Sequence, residues 1–232
     1  MSNLTGKVIL VTGAKGGLGS FVTEALLAAG ATVIGVSRSI QQSDFAHAQF
    51  HAMPAELSTR AASNQLVQDA LANFPHIDSL VHVMGGFAGG HRVEATDDAT
   101  MERMFDLNFR SAFHIMSALL PHMRERGQGS IAVVASRQGE EPGAMVGAYS
   151  ASKAAVVSLV RTVALENKDR GISANTVLPG TMDTPANRKG DPTNDGSMYV
   201  QPSQVAELLV HLVSNAGAQI TGAAIPVYGK QL

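Results

Sequence analysis

The sequence predicts an α/β protein: a doubly wound parallel sheet of about seven strands flanked by helices, in a single domain over residues 1–232. Three observations carry this. Short β-branched runs alternate with helical periods along the chain. A glycine-rich turn joins the first strand to the first helix. No linker, internal repeat or low-complexity tract breaks the alternation.

Lys7-Val8-Ile9-Leu10-Val11-Thr12 reads as a short buried strand. Gly13-Ala14-Lys15-Gly16-Gly17-Leu18-Gly19 follows. Next comes a helix with Phe21, Ala25, Leu26 and Ala29 at helical spacing, closed by Gly30. Ala31 to Val36 is a second strand. Together these make a Rossmann-type βαβ unit. Glycines in its first turn let the backbone fold tightly and approach a pyrophosphate at the helix N-terminus. The spacing Gly13-x3-Gly17-x-Gly19 is looser than the usual dinucleotide fingerprint, and a plain strand-to-helix turn is the alternative reading.

The end of the second strand is where an acidic residue would accept the 2′-hydroxyl of NAD. Ser37-Arg38 stands there instead. A guanidinium suits a 2′-phosphate through forked, charge-assisted hydrogen bonds, and Lys15 would add charge to the same pocket. NADP(H) is therefore favoured over NAD(H). A solvated arginine after a strand is the competing explanation.

Gln41 to Gln49 reads as a polar connector, and Phe50 to Leu57 as a weak third strand ending at Glu56-Leu57. Thr59 to Asn73 reads as a surface helix with Leu66, Ala70 and Leu71 on one face. Ile77 to Met84 is a fourth strand running into Gly85-Gly86-Phe87-Ala88-Gly89-Gly90, another turn open to close backbone approach. Ala99 to Arg126 reads as one long helical stretch with Met104, Phe105, Phe109, Phe113, Met116 and Leu120, a stripe suited to core or subunit interface. Pro121 is expected to bend it. Ser130 to Ala135 is a fifth strand leading to Ser136. Val146 to Glu166 is a helix, and Gly171 to Leu178 a sixth strand ending at Pro179-Gly180. Thr181 to Pro202 is polar and rich in Gly, Pro, Asp and Asn; a loop of that length in a compact domain is usually functional. Ser203 to Ser214 is an amphipathic helix, and Gly222 to Tyr228 closes the sheet.

Composition narrows the function classes. Hydrophobic residues at 45% against 16% charged allow a large core and argue against disorder. A net charge of −2 without a basic block argues against nucleic acid or anionic membrane as main partner. With no cysteine there is no disulfide, thiolate zinc site or cysteine nucleophile, which fits a cytoplasmic protein. The polar start from Met1 to Lys7 does not read as a signal peptide, and with no run of ~18 apolar residues in this sequence no spanning segment is expected. His47 and His51 stand four apart without a His-Glu-x-x-His pattern or carboxylates, so no metal site is expected. No Gly-x-Ser-x-Gly elbow supports a hydrolase.

Tyr149-Ser150-Ala151-Ser152-Lys153 carries the strongest chemistry. Residues four apart on a helix share a face. A free phenol titrates near pH ~10, and a neighbouring ammonium favours the phenolate and draws that value toward neutrality. Tyrosine then becomes a usable general acid or base. An exposed turn with a solvated lysine is the alternative.

In order and spacing, Thr12-Gly13-x3-Gly17-x-Gly19, Asn108, Ser136, Tyr149-x3-Lys153 and Pro179-Gly180 resemble the short-chain dehydrogenase/reductase family over essentially the whole chain. The resemblance implies that Tyr149 donates the proton and that Lys153 lowers its pKa and binds the nicotinamide ribose. Ser136 would hydrogen-bond the substrate oxygen, and Asn108 would hold a water linking Lys153 to solvent. Gly13, Lys15, Gly16, Gly17, Leu18, Gly19, Ser37, Arg38, Glu56, Leu57, Met84, Gly85, Gly86, Asn108, Tyr149, Lys153, Pro179, Gly180, Met182 and Thr184 would line the cofactor. The family also implies a homodimer or homotetramer.

The chain departs from the family pattern where Asn-Asn-Ala-Gly usually follows the fourth strand. Here it reads His82-Val83-Met84-Gly85, so the support given by the usual asparagine must be made differently. Gly85 to Gly90 and Asp183-Thr184-Pro185-x-Asn187-Arg188-Lys189 are similar to segments of dihydropteridine reductases, a branch of the same family. Those enzymes generally lack the serine that this chain keeps. Carbonyl reduction is therefore the leading expectation. Reduction of a quinonoid pterin is a second, and a non-catalytic cofactor-binding sensor a third. Glu140 and Glu141 read as a solvated loop, with a place lining the substrate mouth as the alternative. Arg188 and Lys189 read as lid charges, with an anion clamp as the alternative.

Overall fold

Strand β1 (Val8–Thr12) is buried along its whole length, and its side chains alternate between two cores. Val8 and Leu10 enter one, Ile9 and Val11 the other. A period of two forces this split once both faces of a strand are covered. The structure is a computed structural model that describes residues 3–190, 192–193 and 195–231. The outermost positions of the expected domain, Met1, Ser2 and Leu232, lie outside those residues, as do Asp191 and Asn194 of the expected loop.

Seven parallel strands form one sheet in the order β3-β2-β1-β4-β5-β6-β7. The others are β2 (Thr32–Ser37), β3 (Phe50–Pro54), β4 (Ser79–His82), β5 (Gly129–Val134), β6 (Ile172–Pro179) and β7 (Ala224–Val227). Leu10 sits opposite Ile34 on one side and Leu80 on the other, so apolar residues line up across the centre. Helices α2 (Arg60–Asn73), α4 (Ser111–Arg126) and α5 (Gly147–Asn167) cover one face. Helices α1 (Gly19–Ala28) and α7 (Pro202–Leu212) cover the other, with Val22, Leu26, Val205 and Leu209 in the second core. Each such side chain contributes about 1.5–3 kcal/mol on burial.

The strand order reverses between β1 and β4. In an open parallel sheet that leaves a crevice at the carboxyl ends of the strands. Gly13 sits at its floor with φ +74°, and a Cβ there would come within 2.8 Å of the Met84 nitrogen. Only glycine lets the two turns meet.

Strands β3 and β4 are shorter than expected, β3 ending at Pro54 before Glu56-Leu57 and β4 spanning only Ser79–His82, and two further elements differ in kind. The long helical stretch is broken into α3 (Asp98–Met104), a π-helical turn (Phe105–Arg110) and α4. The irregularity falls at Asn108, and the helix continues through Pro121 to Arg126. The π turn widens the helix where Asn108 must reach two other elements. The loop after β6 also contains a short helix, α6 (Pro185–Gly190). The aromatic stripe splits: Met104, Met116 and Leu120 are core, while Phe105, Phe109 and Phe113 stay half-buried in a chain of ring contacts.

Candidate active site

The glycine turn after β1 has the shape a dinucleotide needs. The Gly16 nitrogen donates to the Gly13 carbonyl at 2.9 Å, and a Cβ at Gly19 would run into that carbonyl. Gly16 and Gly17 are exposed, while Leu18 turns inward to the core. Arg38 is exposed, and its guanidinium makes no hydrogen bond or ion pair among the described residues. Lys15 is engaged: its ammonium lies 2.8 Å from Asp44, and its backbone N–H donates to the Ser37 hydroxyl. Glu56 is exposed beyond β3. Leu57 is buried in the core, so its side chain packs rather than lines a groove. An open glycine cradle beside an uncommitted guanidinium fits a nicotinamide dinucleotide.

At the end of β4, Asn108 clips one residue from both sides. Its Oδ1 accepts the Gly86 N–H at 2.8 Å, and its Nδ2 donates to the Gly86 carbonyl at 3.1 Å. The same Nδ2 donates to Ser152 Oγ at 2.9 Å, and Ser152 donates to the Tyr149 carbonyl at 2.7 Å. The π turn is thus tied to the first turn of α5 through the main chain of Tyr149. Gly85 lies between these parts: a Cβ there would sit 2.8 Å from Asn108 Oδ1 and 3.1 Å from Lys153 Nζ. The ammonium of Lys153 is buried and donates to the Val134 carbonyl at 3.1 Å. Burial pushes its pKa down to about 8.

Tyr149 is half-buried near the start of α5, with Ser136 at the end of β5. Ser136 caps a 3₁₀ turn, Arg137–Gly139, accepting the Gln138 N–H at 3.2 Å. Burial raises the pKa of the phenol, and its interaction with the Ser136 hydroxyl pulls it partly back. Lys153, expected to bring the phenol down, is not among these causes. The ammonium is turned to the Val134 carbonyl, and desolvation makes it easier to deprotonate. Phe87, exposed, places its ring edge-on to Tyr149 at 4.9 Å. Phe87 also lines a cleft of about 340 Å³ with Met145, Val146 and Gly147. Met145 holds a left-handed backbone, φ +63°, and accepts the Gly90 N–H at 2.9 Å.

His82 answers the departure from the family pattern. It is buried, with Nδ1 2.7 Å from Thr12 Oγ1 and Nε2 3.3 Å from Ser111 Oγ. Ser111 spends its own proton on the Leu107 carbonyl at 2.7 Å, so Nε2 carries the ring proton and Nδ1 accepts from Thr12. Burial first, and Lys153 second, push the pKa of His82 down to about 3. The ring is neutral and joins β1, β4 and α4. Sequence reasoning marked the gap but not the histidine as its filler.

After β6, Gly180 donates to the Val227 carbonyl at 3.0 Å. Thr184 is buried, with its methyl group over Gly17, and Met182 packs on the second core. Arg188 is committed inside the loop: its Nε and Nη2 hold Asp183 at 2.6 and 2.9 Å, and its Nη1 donates to the Asp195 carbonyl at 2.6 Å. An anion clamp through Arg188 is therefore not what this geometry offers. Glu141 pairs with Arg137 and Glu140 with Arg161. His51 stacks edge-on against Phe74, and His47 accepts the Gln49 N–H, so neither faces a common centre. Ser152 and Gln231, both part of the site's framework, carried no signal in the sequence.

A glycine-floored crevice at a strand-order reversal, beside a tyrosine, a serine and a buried lysine, defines a nicotinamide-dependent oxidoreductase scaffold. The family model for short chain dehydrogenase matches residues 7–195. The chain belongs to that family. It is similar to a D-beta-hydroxybutyrate dehydrogenase of Cupriavidus necator, 30% identical over 95% of each chain. Among solved structures it is similar to a 3-ketoacyl-(acyl-carrier-protein) reductase of Brucella melitensis complexed with NADH, with TM-score 0.87, 27% identity, and coverage of 99% of this chain and 100% of that one. A Pseudomonas aeruginosa RhlG/NADP complex gives TM-score 0.89 and 27% identity over 99% and 98%.

Proposed function

We propose that this chain reduces a ketone or aldehyde to the alcohol with NADPH, a reaction of class EC 1.1.1, and that Tyr149 is the proton donor. One observation carries the reading: the Tyr149 phenol interacts with the Ser136 hydroxyl, with the buried Lys153 one helical turn along and the ring of Phe87, which lines the cleft, edge-on against it. A bound nicotinamide supplies the hydride. Tyr149, kept protonated by burial, is in the acid form that a reduction needs. Ser136 stabilises the substrate oxygen as charge develops on it. Lys153 would hold the nicotinamide ribose and, with its pKa pushed down to about 8, would return a proton to the phenol. Asn108, expected to hold a water beside Lys153, also clips Gly86 through its N–H and carbonyl.

Gly13, Gly16, Gly17, Gly19, Met84, Gly85 and Gly86 form the floor of the cofactor groove in this reading. Pro179, Gly180, Met182 and Thr184 form its far wall. The solved neighbours carry NADH in one case and NADP in the other, so the preference for NADP(H) rests on Arg38. We read the chain as one cofactor-binding domain, 1–232, with 181–202 as a substrate lid. It acts as a homodimer or homotetramer in the cytoplasm on a small molecule, without nucleic acid or membrane.

The names of the Cupriavidus and Brucella proteins, a hydroxybutyrate dehydrogenase and a ketoacyl reductase, support carbonyl–alcohol chemistry. The glycine run from Gly85 to Gly90 supports the pterin alternative, and the retained Ser136 weighs against it. The test is loss of NADPH and NADH absorbance against ketones, aldehydes, quinones and quinonoid dihydropterin. Turnover of a carbonyl substrate with NADPH is the expected result. Turnover of the pterin alone would favour the second reading, and binding without turnover would favour a sensor.

A further inference from the structure

Gln231 lies after β7, and its N–H donates to the Tyr228 carbonyl at 3.0 Å. The turn aims its side chain back at the sheet. Oε1 accepts the Thr181 N–H at 2.8 Å. Nε2 donates to the Thr181 carbonyl at 2.8 Å and to the Met198 carbonyl at 3.0 Å. A primary amide presents the donor and acceptor of a peptide unit, so it grips Thr181 as a neighbouring strand would. Asn108 grips Gly86 in the same way at the end of β4. Gly180 makes room, because a Cβ there would lie 2.8 Å from Gln231 Oε1.

The main chain of Gln231 is anchored in turn. Its carbonyl accepts from the Arg137 guanidinium, which lies over the Tyr228 ring at 4.7 Å and pairs with Glu141 at 2.7 Å. Arg137 directly follows Ser136. One residue therefore joins the near end of the lid at Thr181 and a point near its far end at Met198 through its side chain, and the serine loop through its own carbonyl.

We propose that Gln231 is a positioning residue: it holds the Pro179–Thr181 turn and Met198 of the lid in register with the Ser136 loop, and so sets the far wall of the cofactor groove. Its effect on cofactor affinity rests on the functional reading above; the splint itself does not.

Gln231→Glu is the test, with Gln231→Ala beside it. Glutamate keeps the shape but removes both donors and sets a carboxylate against two carbonyls. Hydrogen exchange in the cofactor-free chain should speed up at least about tenfold for amides in 180–200, with protection elsewhere unchanged. NADPH should bind about fivefold or more weakly, with KM for NADPH rising while kcat stays within about twofold. Gly180→Ala should displace the amide and give the same exchange pattern, and the Gly180→Ala/Gln231→Ala double variant should add little to it. Unchanged exchange at 180–200 in both Gln231 variants overturns the proposal. In a chain that binds NADPH, faster exchange with unaltered affinity overturns it too. If the wild type binds neither cofactor, the functional reading fails, and exchange alone decides whether Gln231 holds the lid.

Discussion

The imidazole of His82 lies 2.7 Å from the hydroxyl of Thr12, with the ring proton turned away toward Ser111. This pair joins the two strands on either side of the reversal in strand order, under the floor of the proposed cofactor groove. A neutral ring suits it, since a charged one would be buried near the Lys153 ammonium.

Stability should therefore fall in acid. The pKa of His82 is about 3 when folded, against 6.5 ordinarily, so below pH 6.5 the unfolded chain takes up a proton that the folded chain refuses. Stability is then lost as pH falls through that window. Between pH 8 and pH 5 the wild type should lose about 2 kcal/mol more than His82→Asn. Urea unfolding of both proteins at the two pH values measures the difference, and equal losses would refute the neutral-histidine account.

Tyr149→Phe should keep the fold and the edge-on contact with Phe87. It should cut turnover by about 100- to 10,000-fold while NADPH binding stays within about threefold. Steady-state kinetics and cofactor titration separate the two. Near-wild-type turnover would remove Tyr149 from the proton-donor role.

Arg38→Ala should weaken NADPH by about 10- to 100-fold, the range for losing charge-assisted hydrogen bonds, and NADH by much less. Titration with both cofactors reads the ratio. Equal losses would mean that Arg38 does not meet a 2′-phosphate.

Gly85→Ala should push its new methyl against Asn108 and Lys153. Asn108 is held by Gly86 and Ser152, so it has little freedom to retreat. We expect a stability loss of about 1–3 kcal/mol together with weakened cofactor binding. Thermal unfolding and NADPH titration check it; a variant matching wild type in both would show that the three groups are loosely packed.

The order of strands and helices was legible in the sequence. Apolar runs in parallel strands and helical stripes each follow from local periodicity, and β1 and α1 fall within a residue or two of where their patterns put them. The Tyr149-x3-Lys153 pair and the glycine turn could be singled out because each lies within one short stretch of chain, whereas Ser136 was singled out only through its order and step to Tyr149 in the family resemblance. What the sequence could not supply were relations between distant segments. His82 opposite Thr12, Asn108 clipped to Gly86, Arg188 spent on Asp183 and Gln231 splinting Thr181 each join residues whose pairing is set by packing. The protonation of Tyr149 belongs with them. The pattern gave it a lysine neighbour, but burial raised its pKa, and only the tertiary structure decides how much water a side chain loses and which way a buried ammonium points.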